Sequence, residues 1–210
     1  MGEYSFIAVI AGVLLIGAMS PGPSFIVVAQ NSLNKSRAHG IVTALGTGLG
    51  VSIFAVLASF GVTTLLDSLP SAFLIFKLLG GAYLLFLACR IWANSRAKLA
   101  ELDIQDEATN SLLKSFFSGL ITQISNPKTA LVIAGIFAAF VPATPPANTT
   151  VLVAIIAFII DFSWYAIVAL SLSANKSRQM YQRVKTGFDR TAAVFLGAVG
   201  IRLLFTTYDA

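Results

Sequence analysis

Long apolar stretches are the feature that most restricts how this chain can fold. A helix that crosses a bilayer needs about 20 mostly apolar residues. Only 11% of the chain is Asp, Glu, Lys or Arg, whereas soluble domains contain roughly 25%. We therefore predict an all-α integral membrane protein with six transmembrane helices. The six stretches are Phe6 to Val28, Gly40 to Leu66, Ala72 to Ile91, Leu112 to Phe140, Thr149 to Leu172 and Thr191 to Phe205.

The loops between these stretches alternate in charge, and this alternation predicts the orientation of the chain. The first and fifth loops are rich in Lys and Arg, and the third contains Arg96, Lys98 and Lys114 diluted by four acidic residues, whereas the second and fourth contain no Lys or Arg. By the positive-inside rule the odd loops are cytoplasmic and both termini lie outside. The net charge of +5 then reflects membrane orientation, and no nucleic-acid partner is expected because the basic residues form no continuous stripe.

Two proline-containing motifs lie about half a chain apart and predict an internal repeat. Ser20-Pro21-Gly22-Pro23 interrupts the first stretch, and Ser125-Asn126-Pro127-Lys128 interrupts the fourth. Three spans in each half would turn the second half upside down, as in many secondary transporters. We therefore expect one transmembrane domain over residues 1–210, with inverted repeats at about 1–98 and 111–210 and a cytoplasmic linker at about 93–111.

The two motifs break their helices and so predict a central binding site. Proline removes an amide donor and clashes with the carbonyl four residues back. The freed backbone groups cannot face lipid and need protein or cavity water. A pair of packing kinks is the alternative, since Pro and Gly are frequent in membrane helices. The expected substrate-binding residues at the breaks are Pro21, Gly22, Pro23, Asn126, Pro127 and Lys128.

One carboxylate lies near the middle of an apolar stretch. Asp161 is flanked by isoleucines and aromatic residues, and an ionisable group at that depth usually serves function. We expect it to bind substrate or to carry the coupled proton. A structural ion pair with Lys77, Lys128 or Arg202 is the alternative, and Lys77 and Arg202 can also snorkel toward the interface.

Other residues suggest a cavity wall or close helix packing. Tyr83 follows a pair of glycines, and Trp164 and Tyr165 are too deep for an interfacial belt. All three are expected to contact substrate or to pack in the core. Gly46 and Gly50 have the spacing that lets two helices approach closely. Such faces of small residues also permit a homodimer.

The composition argues against catalysis and metal transport. An intramembrane enzyme needs a nucleophile with a base or paired carboxylates, and a soft-metal site needs several Cys, His or Met ligands. His39 and Cys89 are single residues of their kinds. We therefore expect no enzyme activity, no metal and no cofactor. A passive facilitator or channel on the same scaffold remains an alternative, and a metal exporter or intramembrane enzyme is a weaker one.

Taken together, these motifs resemble the LysE/RhtB (resistance to homoserine/threonine) superfamily of small bacterial exporters of amino acids and related metabolites. The resemblance covers nearly the whole chain and depends on the order and spacing of several motifs. These are Ser20-Pro21-Gly22-Pro23, Lys77 to Leu84, Asn126-Pro127-Lys128, Phe140-Val141-Pro142, Asp161 to Tyr165 and Gly197 to Leu203.

The resemblance implies efflux from the cytoplasm across a bacterial inner membrane. It further implies coupling to the proton gradient and a neutral or zwitterionic amino acid as substrate. The chain departs from the family at one place. Members often carry an acidic residue or a histidine after the glycines of the second span, where Val51 and Ser52 stand here. This departure would leave Asp161 as the sole carboxylate within the membrane.

Overall fold

A computed structural model describes residues 5–68, 70–96, 111–142, 145–171 and 175–205. These described ranges contain helices and no strands, which confirms the all-helical prediction. The helices are α1 (Ser5–Met19), α2 (Pro23–Asn34), α3 (Arg37–Ser68), α4 (Pro70–Asn94), α5 (Leu112–Ile124), α6 (Pro127–Phe140), α7 (Thr149–Ser171) and α8 (Asn175–Phe205).

The longest apolar helices agree with the predicted stretches. Within the described residues, two helices are long and apolar enough to cross a membrane alone, Arg37–Gly61 of α3 and Thr149–Ser171. The pair of α1 and α2 makes a third such unit, bent by 58° at its break. Shorter apolar helices are Leu78–Asn94, Leu112–Ile124 and Pro127–Phe140. The count of six spans and the inverted repeat stay predictions.

Both proline motifs separate two helices. Pro23 is the first residue of α2 and Pro127 is the first residue of α6. Proline is favoured at this position because the first amides of a helix have no partner within the helix, so its missing N–H costs nothing. The preceding helices end at Met19 and Ile124. The first and fourth apolar stretches are therefore each two helices.

The two broken segments pack against each other in opposite directions. Helix α1 contacts α6, and α2 contacts α5, so the first half of one segment lies beside the second half of the other. Helix α3 packs against both α5 and α7, and α4 packs against α8. The breaks consequently lie at the same level in the interior of the protein.

Helices α3 and α5 are in backbone contact. A Cβ atom on Gly46 would overlap the carbonyl oxygen of Phe116, and one on Gly119 would overlap the carbonyl oxygen of Thr43. A Cβ on Gly50 would lie 2.7 Å from the Cβ of Gln123. The close approach predicted from Gly46 and Gly50 is therefore present, and α5 is the partner helix.

The apolar core forms two clusters with a polar layer between them. Along α7, Ala157 belongs to the first cluster and Tyr165 to the second. Along α3, Val51 belongs to the first and Ala44 to the second. Polar residues are buried between these positions, Thr47 on α3 and Asp161 on α7. The layer that separates the two clusters contains the candidate site.

Candidate functional site

Asp161 faces the interior because it lies on the buried face of α7. The buried residues of this helix recur about every four positions, which places them on one side of a helix. They are Thr149, Val153, Ala157, Asp161, Tyr165, Val168 and Ala169. The Asp161 side chain is only 6% exposed. Its depth therefore follows from the periodicity of a helix that is otherwise apolar.

The Asp161 carboxylate is only half satisfied by the protein. Its Oδ1 accepts a hydrogen bond from Gln123 Nε2 at 3.5 Å, and the Thr47 side chain lies against the carboxylate. Its Oδ2 is buried and has no hydrogen-bond partner among the described residues. Leaving a buried acceptor unmatched costs free energy. A donor on a ligand or a water would therefore be stabilised at Oδ2.

Three polar side chains join the two breaks directly. The Ser24 hydroxyl, at the start of α2, donates to Gln123 Oε1. Asn126 Nδ2, at the second break, donates to Ser24 Oγ at 3.4 Å. All three side chains are buried. Since Gln123 in turn contacts Asp161, a continuous polar chain runs from the first break through the second to α7.

Lys128 lies at the second break but binds the first. Its Nζ donates to the Ser20 carbonyl oxygen at 3.2 Å. The Ser20 hydroxyl donates to Asp189 Oδ1, also at 3.2 Å, and the Asp189 carboxylate attracts the Lys128 ammonium. Among the described residues no ion pair joins Lys128 to Asp161. The positive and the negative group of the predicted site are thus held apart.

Two helices begin at the site. The first amides of α2 and α6 have no partner within their helices, and the N-terminal end of a helix carries a partial positive charge. Asn126 caps α6, because its Oδ1 accepts from the Lys128 backbone N–H at 3.1 Å. Gly22 precedes α2 and supplies no side-chain cap. The site is therefore suited to a carboxylate.

A central cavity of about 50 Å³ lies in the polar layer. One bound water needs about 10–15 Å³, so the cavity has room for a few waters, and a larger solute requires its walls to separate. Its lining combines apolar side chains with the polar groups of both breaks. These residues are Leu14, Gly17, Ala18, Ser20, Gly22, Val51, Gln123, Asn126, Lys128, Thr129, Val132, Ile133, Ala157, Ile160, Asp161 and Tyr165.

A wider vestibule of about 400 Å³ adjoins the cavity. The two spaces share four lining residues, which are Ser20, Gly22, Asn126 and Lys128. These four residues therefore lie between the vestibule and the cavity. Beyond them the vestibule is lined by aromatic, apolar and charged side chains, among which are Tyr83, Leu87, Arg90, Asn94 and Asp189.

Most of the predicted site residues line one of these two spaces. Gly22, Asn126 and Lys128 line both, and Asp161 lines the cavity. The remaining break residues and the aromatic residue of α4 line the vestibule, namely Pro21, Pro23, Pro127 and Tyr83.

The other predicted residues lie elsewhere. Trp164 lines neither space and packs edge-on against Phe188, with ring centroids 5.8 Å apart. Arg202 is exposed, and its guanidinium lies 4.4 Å from the centre of the Phe140 ring. The side chain of Lys77 is outside the part of the chain that the structure describes. Tyr165, next to Trp164, is the residue of that pair that reaches the cavity.

Two residues that line the vestibule and the cavity, Asp189 and Gln123, were not predicted from the sequence. Asp189 was assigned to a basic loop, but it lies within α8 and is only 4% exposed, so Asp161 is not the only buried carboxylate near the cavity. Its spacing from the buried Ala192 and Ala193 was a usable signal. Gln123 follows Ser115 and Gly119 at intervals of four on the buried face of α5, and this pattern was also available.

Comparison with known proteins gives a consistent result. The family model described as LysE type translocator matches residues 15–207. The threonine efflux protein of Salmonella typhimurium is 28% identical over 204 residues, which cover 94% of this chain and 96% of the relative. The uncharacterized membrane protein YahN of Escherichia coli K12 is 29% identical over 195 residues, 92% of this chain and 86% of the relative. No solved structure matches the chain.

Proposed function

Because the chain belongs to the LysE family of translocators, we propose that it exports a neutral or zwitterionic amino acid from the cytoplasm in exchange for a proton. The observation that carries this proposal is the meeting of the two helix breaks around a buried cavity. In that cavity a cation, Lys128, and a carboxylate, Asp161, are present without forming an ion pair. Two separated opposite charges are complementary to a zwitterion.

The α-carboxylate of the substrate is assigned to the breaks. The N-termini of α2 and α6 offer backbone N–H groups and the positive ends of two helix dipoles. Lys128 adds a full positive charge on the same side. The α-ammonium is assigned to Asp161, whose Oδ2 lacks a hydrogen-bond partner within the described residues. Charge-assisted hydrogen bonds at both ends would fix the orientation of the substrate.

The lining of the cavity supports a small, uncharged substrate side chain. Of the described residues that line the cavity, only Lys128 and Asp161 are charged, and both are already assigned to the two ends of the amino acid. Leu14, Val132 and Ile133 supply apolar wall. Relatives with 28% identity are named threonine efflux proteins, which makes threonine the first probe to use.

Proton exchange is assigned to Asp161. A carboxylate that binds the substrate ammonium can release it when a proton arrives, because the protonated group no longer attracts a cation. Protonation also removes a buried charge, which changes the relative free energies of conformations that expose the site to either side. The site would then reset with a proton travelling inward for each substrate that leaves.

The proposed direction of transport follows from the topology. Arg90 and Asn94 in the vestibule lie at the end of α4, just before the linker expected in the cytoplasm. The vestibule would therefore receive substrate from the cytoplasm. The antiparallel packing of the broken segments supports the inverted repeat, and both termini are assigned to the outer face of the inner membrane.

Reconstituted vesicles can test this function. Radiolabelled L-threonine and an imposed pH gradient would be used with the wild type, with Asp161→Asn, and with Ser163→Ala as a control at an exposed position on the same helix. We expect the gradient to accelerate transport by the wild type and the control. Asp161→Asn, which mimics the protonated carboxyl group, should exchange threonine more weakly, and its remaining exchange should not respond to the gradient. Equal acceleration in Asp161→Asn would remove Asp161 from coupling, and no gradient dependence in the wild type would indicate a passive facilitator.

A further inference from the structure

We infer that Asp189 is a positioning residue that, through Ser20 and Lys128, holds the passage between the vestibule and the central cavity closed. This inference rests on the proposed function only for the direction in which solutes travel. The closure itself concerns access from one space to the other, which can be measured whether or not the chain transports amino acids.

Asp189 is placed where a carboxylate is costly unless it has partners. It lies on α8, next to Arg190, and its side chain is 4% exposed. Burying a charge without compensation is strongly unfavourable. The compensation that the structure provides includes the Ser20 hydroxyl, at 3.2 Å from Oδ1, and the attraction of the Lys128 ammonium. A buried carboxylate with these partners is well placed to fix the first break.

Ser20 is held through both its side chain and its backbone. Its hydroxyl donates to Asp189 on α8, and its carbonyl oxygen accepts from Lys128 on α6. The residue itself follows directly after α1, at the first break, and is 2% exposed. One residue therefore ties three parts of the protein together, and releasing either bond would let the first break move relative to α6 and α8.

The two hydrogen bonds of Ser20, to Asp189 and from Lys128, are called the tie, and they lie in the passage between the two spaces. Ser20 and Lys128 line both the cavity and the vestibule, whereas Asp189 lines only the vestibule. A solute that moves from the vestibule of about 400 Å³ to the cavity of about 50 Å³ must pass these side chains.

A substrate carboxylate can open this tie. Lys128 now donates to a neutral carbonyl oxygen, and a carboxylate is a stronger acceptor for an ammonium group. A substrate in the vestibule, attracted there by Arg90 and Lys128, would replace Ser20 as the acceptor for Lys128. Ser20 would then be held by Asp189 alone. Binding of the substrate carboxylate would thus weaken the contacts that keep the passage closed.

Cysteine accessibility can test this inference. Cys89, the single cysteine, would be changed to Ala, and Ala157→Cys would place a reporter in the cavity wall, where Ala157 is 1% exposed. Inside-out vesicles would be treated with a positively charged, membrane-impermeant thiosulfonate, which reaches the site from the cytoplasmic face. We expect Asp189→Asn to raise the labelling rate about tenfold, because the amide oxygen that replaces the carboxylate accepts only a weaker, uncharged hydrogen bond from Ser20 and no longer attracts the Lys128 ammonium.

The design separates opening from electrostatics and from misfolding. Removing a negative charge would by itself slow a cationic reagent, so faster labelling in Asp189→Asn indicates opening. Ser20→Ala removes the hydrogen bond to Asp189 without changing a charge and should raise the labelling rate several-fold. If Asp189→Asn fails to accumulate, Ser20→Ala alone tests whether this hydrogen bond keeps the passage closed. Thr191→Val, at an exposed position on α8, is the control and should label at the parent rate.

Two results would overturn the inference. If Ser20→Ala labels at the parent rate, then Ser20 does not hold the passage closed. If Asp189→Asn accumulates and labels no faster than Thr191→Val, then Asp189 has only a structural role. Neither result depends on threonine export or proton coupling, so a failure here and a failure of the proposed function are distinguishable.

Discussion

The two helix breaks contain similar sequences but are stabilised differently. At the second break, Asn126 caps its own helix by accepting from the Lys128 backbone N–H at 3.1 Å. At the first break, Gly22 offers no side-chain cap and the chain bends by 58°. The first break is held instead by residues from distant parts of the chain, Lys128 and Asp189. One break is self-supporting, and the other depends on contacts that can be exchanged.

The helices that precede the two breaks also differ in how tightly they pack against their neighbours. A Cβ on Gly119 of α5 would overlap the Thr43 carbonyl oxygen, whereas a Cβ on Gly12 of α1 would have no atom within 4 Å. Helix α5 is therefore pressed against α3, while α1 has free space at this position. From this difference we predict that the second break belongs to the rigid part of the protein and that the first is the part able to move.

The largest predicted effect comes from adding one methyl group to α5, the helix that precedes the second break. Gly119→Ala forces the α3 and α5 backbones apart, and overpacking of this kind costs about 3 kcal/mol. Gly12→Ala should change the free energy of unfolding by no more than about 0.5 kcal/mol. Thermal unfolding in detergent measures both. For a chain of this length, we expect Gly119→Ala to lower Tm by about 10 °C.

Gly12→Ala is the matched control, because it makes the same chemical change on the other leading helix. Similar losses of Tm in the two variants would contradict the contrast between a rigid and a movable break. The same measurement on Gly46→Ala, which meets the Phe116 carbonyl oxygen from the α3 side, should reproduce the loss seen with Gly119→Ala.

A smaller effect is predicted at the cap of the second break. Asn126→Ala removes the acceptor for the Lys128 backbone N–H and the donor to Ser24. Loss of an N-cap costs about 1 kcal/mol, and the lost hydrogen bond adds about 1 kcal/mol more. Chemical unfolding in detergent should report this decrease. Ser125→Ala, at the exposed neighbouring position, should leave stability unchanged, and equal losses at both positions would argue against the cap.

The smallest effect is predicted at the first break. Gly22 has φ −154° and ψ −167°, an extended conformation that any residue adopts, and a Cβ there would lie 4.0 Å from Lys128 Nζ. We therefore expect Gly22→Ala to cost only about 0.5 kcal/mol, the usual scale of a tolerated substitution. The same unfolding assay applies. A loss as large as that of Gly119→Ala would show that the first break is as constrained as the second.

The sequence predicted the helices and the breaks because local patterns determine them. Apolar length and loop charge locate most of the helices, and Pro23 and Pro127 locate two helix starts. The exception is α8, which begins at Asn175, within the predicted fifth loop. The inward direction of Asp161 was expected because a charge in an apolar stretch avoids lipid. These inferences need only the neighbouring residues, so a single sequence was sufficient for them.

The partners across the cavity were beyond local patterns. The bond from Lys128 to Ser20 joins residues that are 108 positions apart, and the bond from Ser20 to Asp189 spans 169. Their pairing depends on how α6 and α8 pack, and no spacing rule in the sequence specifies it. Trp164 is a different case, because helical periodicity places Tyr165, one residue further, on the buried face of α7, and this local pattern was available in the sequence.

The most direct test of the account asks whether the two breaks meet. Ser24→Cys and Asn126→Cys would be combined in a Cys89→Ala background, with a protease site inserted in the linker at 93–111. A short thiosulfonate cross-linker should keep the two halves together after cleavage, because the Asn126 and Ser24 side chains are 3.4 Å apart. Ser24→Cys paired with Leu113→Cys, which is exposed at the start of α5, should give separated halves. Separated halves from the Ser24 and Asn126 pair, in a chain that folds, would contradict the account.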